Sequence, residues 1–318
     1  MSDNTKIEWA DATVNAVNGC SVTSPGCTNC YAMKQAHRFD ARRGLTRKTN
    51  GGMVWTGEVR LNESALLQPL QWAKPRRIFW NAHGDLFHES VPDEWIDRVM
   101  AVCALTPQHT HMILTKRSER MREYMTFLPD VIEDIATTAG KMMEDGDGAY
   151  STVVQLMDKP LPNVWLGVSV EDQTRADERR EDFRNTPAAV KFVSYEPALG
   201  YVNWAGWAFV DQIIAGGESG PHARPAHPQW FRDTRDWCAA ESIHFFFKQW
   251  GEYVPCVTDD EGHGLRCYPD GADCDAFFQE TKAPILSAHG REFWRIGKKR
   301  AGRLLDGVEH NGVPRASA

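Results

Sequence analysis

The sequence predicts an α/β protein built on a parallel sheet, as a partial or complete (βα) barrel with a C-terminal extension. Short apolar runs alternate with longer amphipathic runs over most of the chain, which is the pattern of repeated strand–helix units. Six or seven such units favour a closed or nearly closed barrel. A flat, doubly wound sheet is the alternative.

The expected strands are short and rich in Val, Ile, Leu or Phe; they span 58–61, 77–81, 111–115, 164–168, 190–194, 212–215 and 244–247. The expected helices between them span 64–73, 93–105, 119–127, 172–183 and 229–240. The helix at 93–105 begins directly after Pro92, which is typical of a helix start.

The barrel is predicted to occupy residues 1–252, and residues 253–318 form the C-terminal extension. The segment 129–162 is too long for a plain loop, so we expect an insertion there with its own helix. Beyond Trp250 the apolar pattern decays into Gly, Asp and Pro.

Composition places the chain among ordinary soluble globular proteins, since 42% of the 318 residues are hydrophobic and 25% are charged. No apolar run reaches the roughly 20 residues that span a bilayer, and the N-terminus lacks the order of a secretory signal. We therefore expect a cytoplasmic protein with no membrane partner. The net charge of −7 argues against a surface that grips duplex nucleic acid all over, but not against a local basic patch.

Three of the eight cysteines carry the main functional signal. Cys20, Cys27 and Cys30 lie within eleven residues, and a Pro-Gly pair between the first two predicts a turn. In a reducing compartment such clusters bind metal or do chemistry more often than they form disulfides. Three thiolates can cap three corners of a cubane iron–sulfur cluster and leave the fourth iron open. The alternative is a structural zinc with His37 as the fourth ligand.

Further blocks follow the cysteines in order: RIFWNAHGDLFHE at 77–89, ILTKR at 113–117, WLGVSVE at 165–171, SYEP at 194–197, GGESG at 216–220 and FKQWG at 247–251. Together they resemble the phage three-Cys-motif protein family, which is similar to radical S-adenosylmethionine enzymes. The resemblance covers most of residues 5–252. The chain departs from such enzymes in its first cysteine gap, which is longer than theirs.

The resemblance implies a barrel of the radical S-adenosylmethionine type. It places a 4Fe-4S cluster on Cys20, Cys27 and Cys30, and S-adenosylmethionine beside it at the carboxyl ends of the strands. An electron donor such as flavodoxin or ferredoxin would reduce the cluster. Cleavage of the sulfonium bond then yields a 5'-deoxyadenosyl radical that takes a hydrogen atom from the substrate.

Polar residues that follow the expected strands are the other site candidates, because barrel enzymes carry their chemistry at this end. Besides the three cysteines, the catalytic candidates are Glu196, Glu218 and Lys248. The candidates for cofactor binding are Tyr31, Asn81, Asp85, Lys116, Ser169, Glu171, Gly216 and Gly217. Helix or turn capping is the alternative for Asp85, Ser169 and Glu171. Core packing is the alternative for Tyr31.

Basic residues cluster locally at Arg42, Arg43, Arg47 and Lys48, and again at Arg295, Lys298, Lys299, Arg300 and Arg303. Aromatic Trp55, Phe293 and Trp294 lie close to them in sequence. Cations for phosphates and rings for an extruded base suit a nucleic acid. Solvated charged faces are the alternative.

The resemblance also implies a substrate, because similar phage proteins occur in pathways that hypermodify thymine in viral DNA. We expect the enzyme to isomerise an N-linked glycyl-thymine to its carbon-linked form. Two alternatives remain: repair of a pyrimidine lesion by the same radical, and a zinc-stabilised nucleic-acid-binding protein. A second metal site is a further possibility at Cys256, His263, Cys267 and Cys274.

Overall fold

The computed structural model describes residues 5, 7–39, 42–157, 159–258, 265–267, 272–273 and 285–314. The strands are β1 (Ala12–Val14), β2 (Val17–Asn18), β3 (Thr46–Thr49), β4 (Gly52–Trp55), β5 (Arg60–Leu61), β6 (Arg77–Trp80), β7 (Thr110–Thr115), β8 (Val164–Ser169), β9 (Val190–Tyr195), β10 (Gln212–Gly216), β11 (His244–Gln249), β12 (Tyr253–Thr258), β13 (Leu265–Cys267), β14 (Ala272–Asp273), β15 (Ile285–Ala288) and β16 (Arg291–Arg295).

The α-helices are α1 (Tyr31–Gln35), α2 (Glu63–Leu66), α3 (Asp93–Leu105), α4 (Ser118–Phe127), α5 (Ile132–Met142), α6 (Gly146–Leu156), α7 (Gln173–Asn185), α8 (Pro228–Ala240) and α9 (Lys298–Ala301). Short 3-10 helices lie at Pro25–Cys27, Ala36–Arg38, Gln68–Gln71 and Leu128–Val131. None of the helices described is long and apolar enough to cross a membrane.

The main sheet has seven strands in the order β1-β6-β7-β8-β9-β10-β11. The pairs β1–β6, β6–β7, β7–β8 and β10–β11 are all parallel. Helices follow most of these strands, as short parallel connections require. The predicted α/β class with a parallel sheet is confirmed, and the sheet is compatible with a partial parallel barrel.

One predicted strand is wrong. Within 58–61 only Arg60–Leu61 belongs to a strand, and it pairs antiparallel with Val17–Asn18 outside the main sheet. The edge position beside β6 belongs instead to Ala12–Val14, which precedes the cysteines. Three residues are too few to show an apolar period, so the sequence pattern did not reveal this strand.

The chain divides into two compact units, and unit 1 comprises the described residues of 1–169 and 178–192. One face of α3 is buried in its core through Ile96, Val99 and Cys103. The expected insertion contains two helices, α5 and α6, which pack on each other and on α3. Cys103 is therefore a core residue.

Unit 2 comprises Val170–Asp177 and Val193–Pro314. Phe231, Phe247 and Trp250 form an aromatic core with ring centroids 5.0–5.4 Å apart. Strands of the C-terminal segment form an antiparallel sheet in the order β14-β13-β12-β16-β15. This sheet was not expected from the sequence, where the segment reads as irregular.

Only part of the second metal site expected from the sequence lies within the described residues. Cys256 is buried in β12 as a free thiol, and the backbone of Cys267 lies opposite it in β13. His263, Cys274 and the side chain of Cys267 lie outside the described residues.

Gly167 in β8 provides a packing test, because a Cβ atom there would lie 2.4 Å from Cζ of Phe192. We expect Gly167→Ala to lower the free energy of unfolding by about 1–3 kcal/mol, as overpacking of a core does. Urea denaturation measures this. Gly51→Ala is the matched control, since the nearest atom to its Cβ would be Thr49 Oγ1 at 3.9 Å. Equal stability of the two variants would contradict the packing described.

Candidate functional site

The three cysteines of the motif lie on one loop of unit 1, and all are free thiols. The Pro-Gly pair opens a 3-10 turn, Pro25–Cys27, in which the amide of Cys27 donates to the carbonyl of Ser24 at 2.9 Å. The amide of Cys30 then donates to the carbonyl of Cys27 at 3.2 Å, directly before α1. The predicted turn is confirmed.

A small hydrophobic cluster lies beneath this loop. It is formed by α1, the segment after it and strand β4, through Ala32, Met33, Ala36, Leu45 and Trp55. Cys20, Cys30 and Val54 pack against it. Two of the three thiols therefore rest on an apolar surface that excludes water.

Arg117 lies against the other side of the loop. Its Nη1 is 3.7 Å from Cys20 Sγ, and its Nη2 donates to Ser21 Oγ at 2.6 Å. The same guanidinium donates to Asp85 Oδ2 at 2.9 Å and to Glu89 Oε2 at 2.6 Å. Because only 9% of its side chain is exposed, Arg117 is a buried cation that ties the cysteine loop to the segment after β6.

Asp85 is fully engaged inside the protein. Its Oδ1 accepts from the amide of Phe87 at 3.0 Å and from Thr115 Oγ1 at 2.7 Å. Its Oδ2 accepts from the amide of Lys116 at 3.2 Å and from Arg117. These are the contacts of a residue that caps a turn and joins the ends of β6 and β7.

The three thiols differ electrostatically. Burial and the nearby Asp85 raise the pKa of Cys20 to about 12, and Arg117 opposes this. Burial also raises the pKa of Cys30. Burial works against the Cys27 thiolate too, but Lys116 and hydrogen bonds from the loop outweigh it, so the pKa of Cys27 lies below its usual value. Lys116 thus acts on the thiols through its charge.

Two other candidates in unit 1 flank the loop. The Tyr31 hydroxyl donates to the carbonyl of Ala82 at 3.0 Å, and its ring is half-exposed. Asn81, directly after β6, has a φ of 57° and accepts from the amide of Val17 through Oδ1 at 2.9 Å. Asn81 is buried, and no described residue accepts a hydrogen bond from its Nδ2.

A cavity of about 330 Å³ borders the loop within unit 1. Its lining carries both signs of charge and consists of Thr23, Phe87, Glu89, Lys116, Arg117, Ser118, Glu119, Arg120, Glu178, Arg179 and Asp182. Ser169 is buried at the end of β8, and its carbonyl accepts from Arg179 at 2.5 Å. Ser169 is therefore linked to this cavity through one lining residue.

Unit 2 holds a second polar group at the ends of its strands. Lys248 Nζ donates to both carboxylate oxygens of Glu196 at 2.8 and 2.9 Å, and Gln249 Nε2 donates to Glu196 Oε1 at 3.1 Å. A Cβ atom on Gly216 would lie 3.5 Å from the Glu196 carboxyl carbon. At Gly217 the chain passes close to the carbonyl oxygen of Trp250, directly after β11. A Cβ atom on residue 217 would lie 1.9 Å from this oxygen, so glycine is required there.

The remaining candidates of unit 2 have structural contacts. Glu218 is bound by Arg224 through its backbone amide at 2.8 Å and its guanidinium at 2.7 and 2.8 Å. Glu171 is fully buried, and its carbonyl accepts from the amides of Leu199 and Gly200 at 2.8 and 3.2 Å. The structure thus groups Glu196 with Lys248 but gives Glu218 a separate partner.

The sequence placed Arg117 and Gln249 at the strand ends, but the site candidates included only the lysine before each of them. Arg117 contacts Cys20, and Gln249 contacts Glu196. Each directly follows a lysine that was included, Lys116 and Lys248. The available signal was therefore a pair of adjacent polar residues at the end of one strand.

In ligand type the donor set fits the iron–sulfur cluster expected from the sequence, because three free thiols lie on one loop. Among the residues described, no group of three or more His, Cys, Asp or Glu side chains converges as ligands for one metal ion. Three thiols beside Lys116 and Arg117 suit an anionic cluster. The side chain of His37, the fourth ligand of the zinc alternative, is outside the described part of the chain.

A family model described as "Protein of unknown function (DUF5131)" matches residues 4–314. No curated protein and no solved structure matches the chain.

In metal-free protein we expect Cys27 to react with iodoacetamide at a lower pH than Cys20, because the thiolate is the nucleophile. The pKa of Cys27 is lowered, whereas that of Cys20 is raised to about 12. As the pH rises, Cys27 therefore becomes a thiolate, and its alkylation rate increases, at a lower pH than for Cys20. Mass spectrometry of each cysteine against pH measures this. Lys116→Gln should move the Cys27 profile to higher pH, with Cys103 as the internal unreactive control. A Cys20 that reacts first would contradict the assignment.

Proposed function

We propose that this chain, which belongs to the DUF5131 family of proteins of unknown function, is a radical S-adenosylmethionine enzyme acting on modified thymine in phage DNA. The observation that carries the proposal is the loop of three free thiols, with Arg117 on one side and an apolar cluster on the other. The seven-stranded sheet is compatible with the partial barrel of such enzymes.

Cys20, Cys27 and Cys30 would hold a 4Fe-4S cluster. When bound and reduced by a donor such as flavodoxin or ferredoxin, a cluster of this kind supplies the electron that cleaves S-adenosylmethionine to a hydrogen-abstracting nucleoside radical. The residues of the chain position and protect this chemistry. Lys116 and Arg117 balance the negative charge of the thiolates, and the apolar cluster keeps water from Cys20 and Cys30.

A basic hairpin supports a nucleic acid as the substrate. Arg47 and Lys48 lie on β3 with exposed side chains, and Arg43 is exposed just before it. The hairpin of β3 and β4 contributes Trp55 to the apolar cluster beneath the cysteines. A phosphate-binding surface here would be fixed rigidly to the cysteine loop.

Several residues expected to contact DNA are not available for it. Arg42 is buried and donates to Asn18 Oδ1 at 2.8 Å, so it is part of the support of the loop. Trp55, Phe293 and Trp294 are buried in apolar cores and cannot stack on an extruded base. Their aromatic character reflects packing, which the sequence alone does not separate from base stacking.

The reaction that we propose is the isomerisation of N-linked glycyl-thymine to its carbon-linked form. The thymine methylene moves from the glycyl nitrogen to the glycyl carbon, so substrate and product contain the same atoms and electrons. One hydrogen atom is removed from the glycyl carbon, the bond from the methylene to nitrogen breaks as the bond from the methylene to the glycyl carbon forms, and one hydrogen atom is returned to the nitrogen. A radical initiator at Cys20, Cys27 and Cys30 suits this requirement.

Anaerobic purification and reconstitution test the function. We expect a brown protein with iron and sulfide, release of 5'-deoxyadenosine, and conversion of the adduct in mass-resolved nucleoside digests of modified DNA. Cys27→Ser should lose the cluster and both activities. A colourless protein with stoichiometric zinc would contradict the proposal and favour the nucleic-acid-binding alternative. Turnover only on damaged DNA would favour the repair alternative.

Arg117 should raise the reduction potential of the cluster, because a cation and hydrogen-bond donor at a ligand sulfur stabilises the reduced, more negative form. We expect Arg117→Gln to shift the one-electron reduction equilibrium about tenfold toward the oxidised state, or about 59 mV. Redox titration followed by electron paramagnetic resonance measures this. Arg117→Lys should retain part of the effect.

Arg122→Gln is the matched control for this measurement, since Arg122 pairs with Asp182 at 2.9 Å on α4 and has no described contact with a cysteine. It removes one arginine ion pair from the same unit and should leave the potential unchanged. Equal potentials in all three variants and the unmodified protein would show that Arg117 has only a structural role.

A further inference from the structure

We infer that Glu196, Lys248 and Gln249 form a binding site for a ligand group that carries a cation and an anion side by side, the amino-acid part of the base adduct. The inference rests on the proposed function and names the chemical group that this part of unit 2 recognises. Nothing in the family match assigns a ligand to these residues.

The three side chains have a defined geometry. Lys248 makes both of its described hydrogen bonds to Glu196, at 2.8 and 2.9 Å, and the two side chains are 14% and 18% exposed. Gln249 turns its amide nitrogen toward Glu196 Oε1 at 3.1 Å. The reverse orientation would bring an amide oxygen against a carboxylate oxygen, two acceptors with no proton between them.

This orientation leaves a buried acceptor. Gln249 is 3% exposed, and its Oε1 accepts no hydrogen bond from any residue that the structure describes. Buried side-chain oxygens are nearly always hydrogen-bonded, and an unmet one needs an explanation. A donor from a bound ligand, next to the carboxylate of Glu196, would satisfy this oxygen, and this is the partner that we infer.

The charges select the ligand class. A ligand with only a positive charge would be attracted by Glu196 and Gln249 Oε1 but repelled by Lys248. A phosphate would be attracted by Lys248 but repelled by the carboxylate of Glu196. A group with both charges can place its ammonium at Glu196 and Gln249 and its carboxylate at Lys248. In N-linked glycyl-thymine a basic secondary amine lies one carbon from a carboxylate, so this adduct carries the required pair.

Binding of three oligonucleotides tests the inference. Each contains one thymine derivative that bears at its 5-methylene a carboxymethylamino group, an amino group or a hydroxyl group. We expect the first to bind at least tenfold more tightly than the other two in fluorescence anisotropy with the full-length protein. No reductant is present, so the result does not depend on the radical reaction. S-adenosylmethionine carries the same pair of ammonium and carboxylate, so binding is measured with and without it. Loss of the preference when it is added would overturn the assignment of the site to the adduct.

Variants of the three residues test whether the binding preference depends on this site. Glu196→Gln, Lys248→Gln and Gln249→Leu should each reduce the preference for the carboxymethylamino group to less than threefold, with folding checked by circular dichroism. Asp306→Asn is the control, because it removes ion pairs with Arg232 and Arg235 in the same unit. It should keep the full preference.

The outcomes separate this inference from the proposed function. Equal binding of the three oligonucleotides, or a preference that survives the three variants, would overturn the binding site even if the protein releases 5'-deoxyadenosine. A selective binder that releases no 5'-deoxyadenosine would support the site and refute the radical enzyme. Failure to bind any of the three would overturn the inference and the DNA substrate together.

Discussion

The geometry of the cysteine loop depends on the buried guanidinium of Arg117. The loop between Cys20 and Cys30 has few apolar side chains and cannot hold its own shape by burial. Arg117 supplies the missing constraint by joining Ser21 to Asp85 and Glu89, with Cys20 in contact. Since a lone buried charge is costly, loss of the guanidinium would leave Asp85 uncompensated as well as freeing the loop.

The apolar cluster beneath the loop has the complementary effect. The ion pairs of Arg117 fix the position of the loop relative to the segment after β6. Met33, Leu45 and Trp55 exclude water from the surface on which Cys20 and Cys30 rest. In such a medium the charges of Lys116 and Arg117 act on sulfur with little screening. The pKa values of Cys20 and Cys27 differ because burial and Asp85 disfavour the Cys20 thiolate, whereas Lys116 and hydrogen bonds from the loop outweigh burial at Cys27.

The sequence predicts some elements of the fold and the site better than others. The strands from β6 to β11 were predictable because each has four to six residues of strongly apolar character. Strand β1 was not, since Ala12–Val14 is too short to show a period. The sequence also located two cations after β7. It could not tell that Arg117 rather than Lys116 contacts Cys20, because adjacent residues in a turn point in directions that only the folded backbone sets.

The same limit applies to groups that lack partners. Asn81 has a left-handed backbone conformation, which costs of order 1–3 kcal/mol in a residue other than glycine, and its buried Nδ2 meets no acceptor among the described residues. Gln249 Oε1 is a buried acceptor that likewise has no hydrogen-bond donor among the described residues. Both side chains lie where a parallel strand ends, so both costs fall where parallel α/β proteins place their ligands. A ligand that supplies the missing partner would satisfy each of these atoms, and at Gln249 this is what the proposed binding site requires.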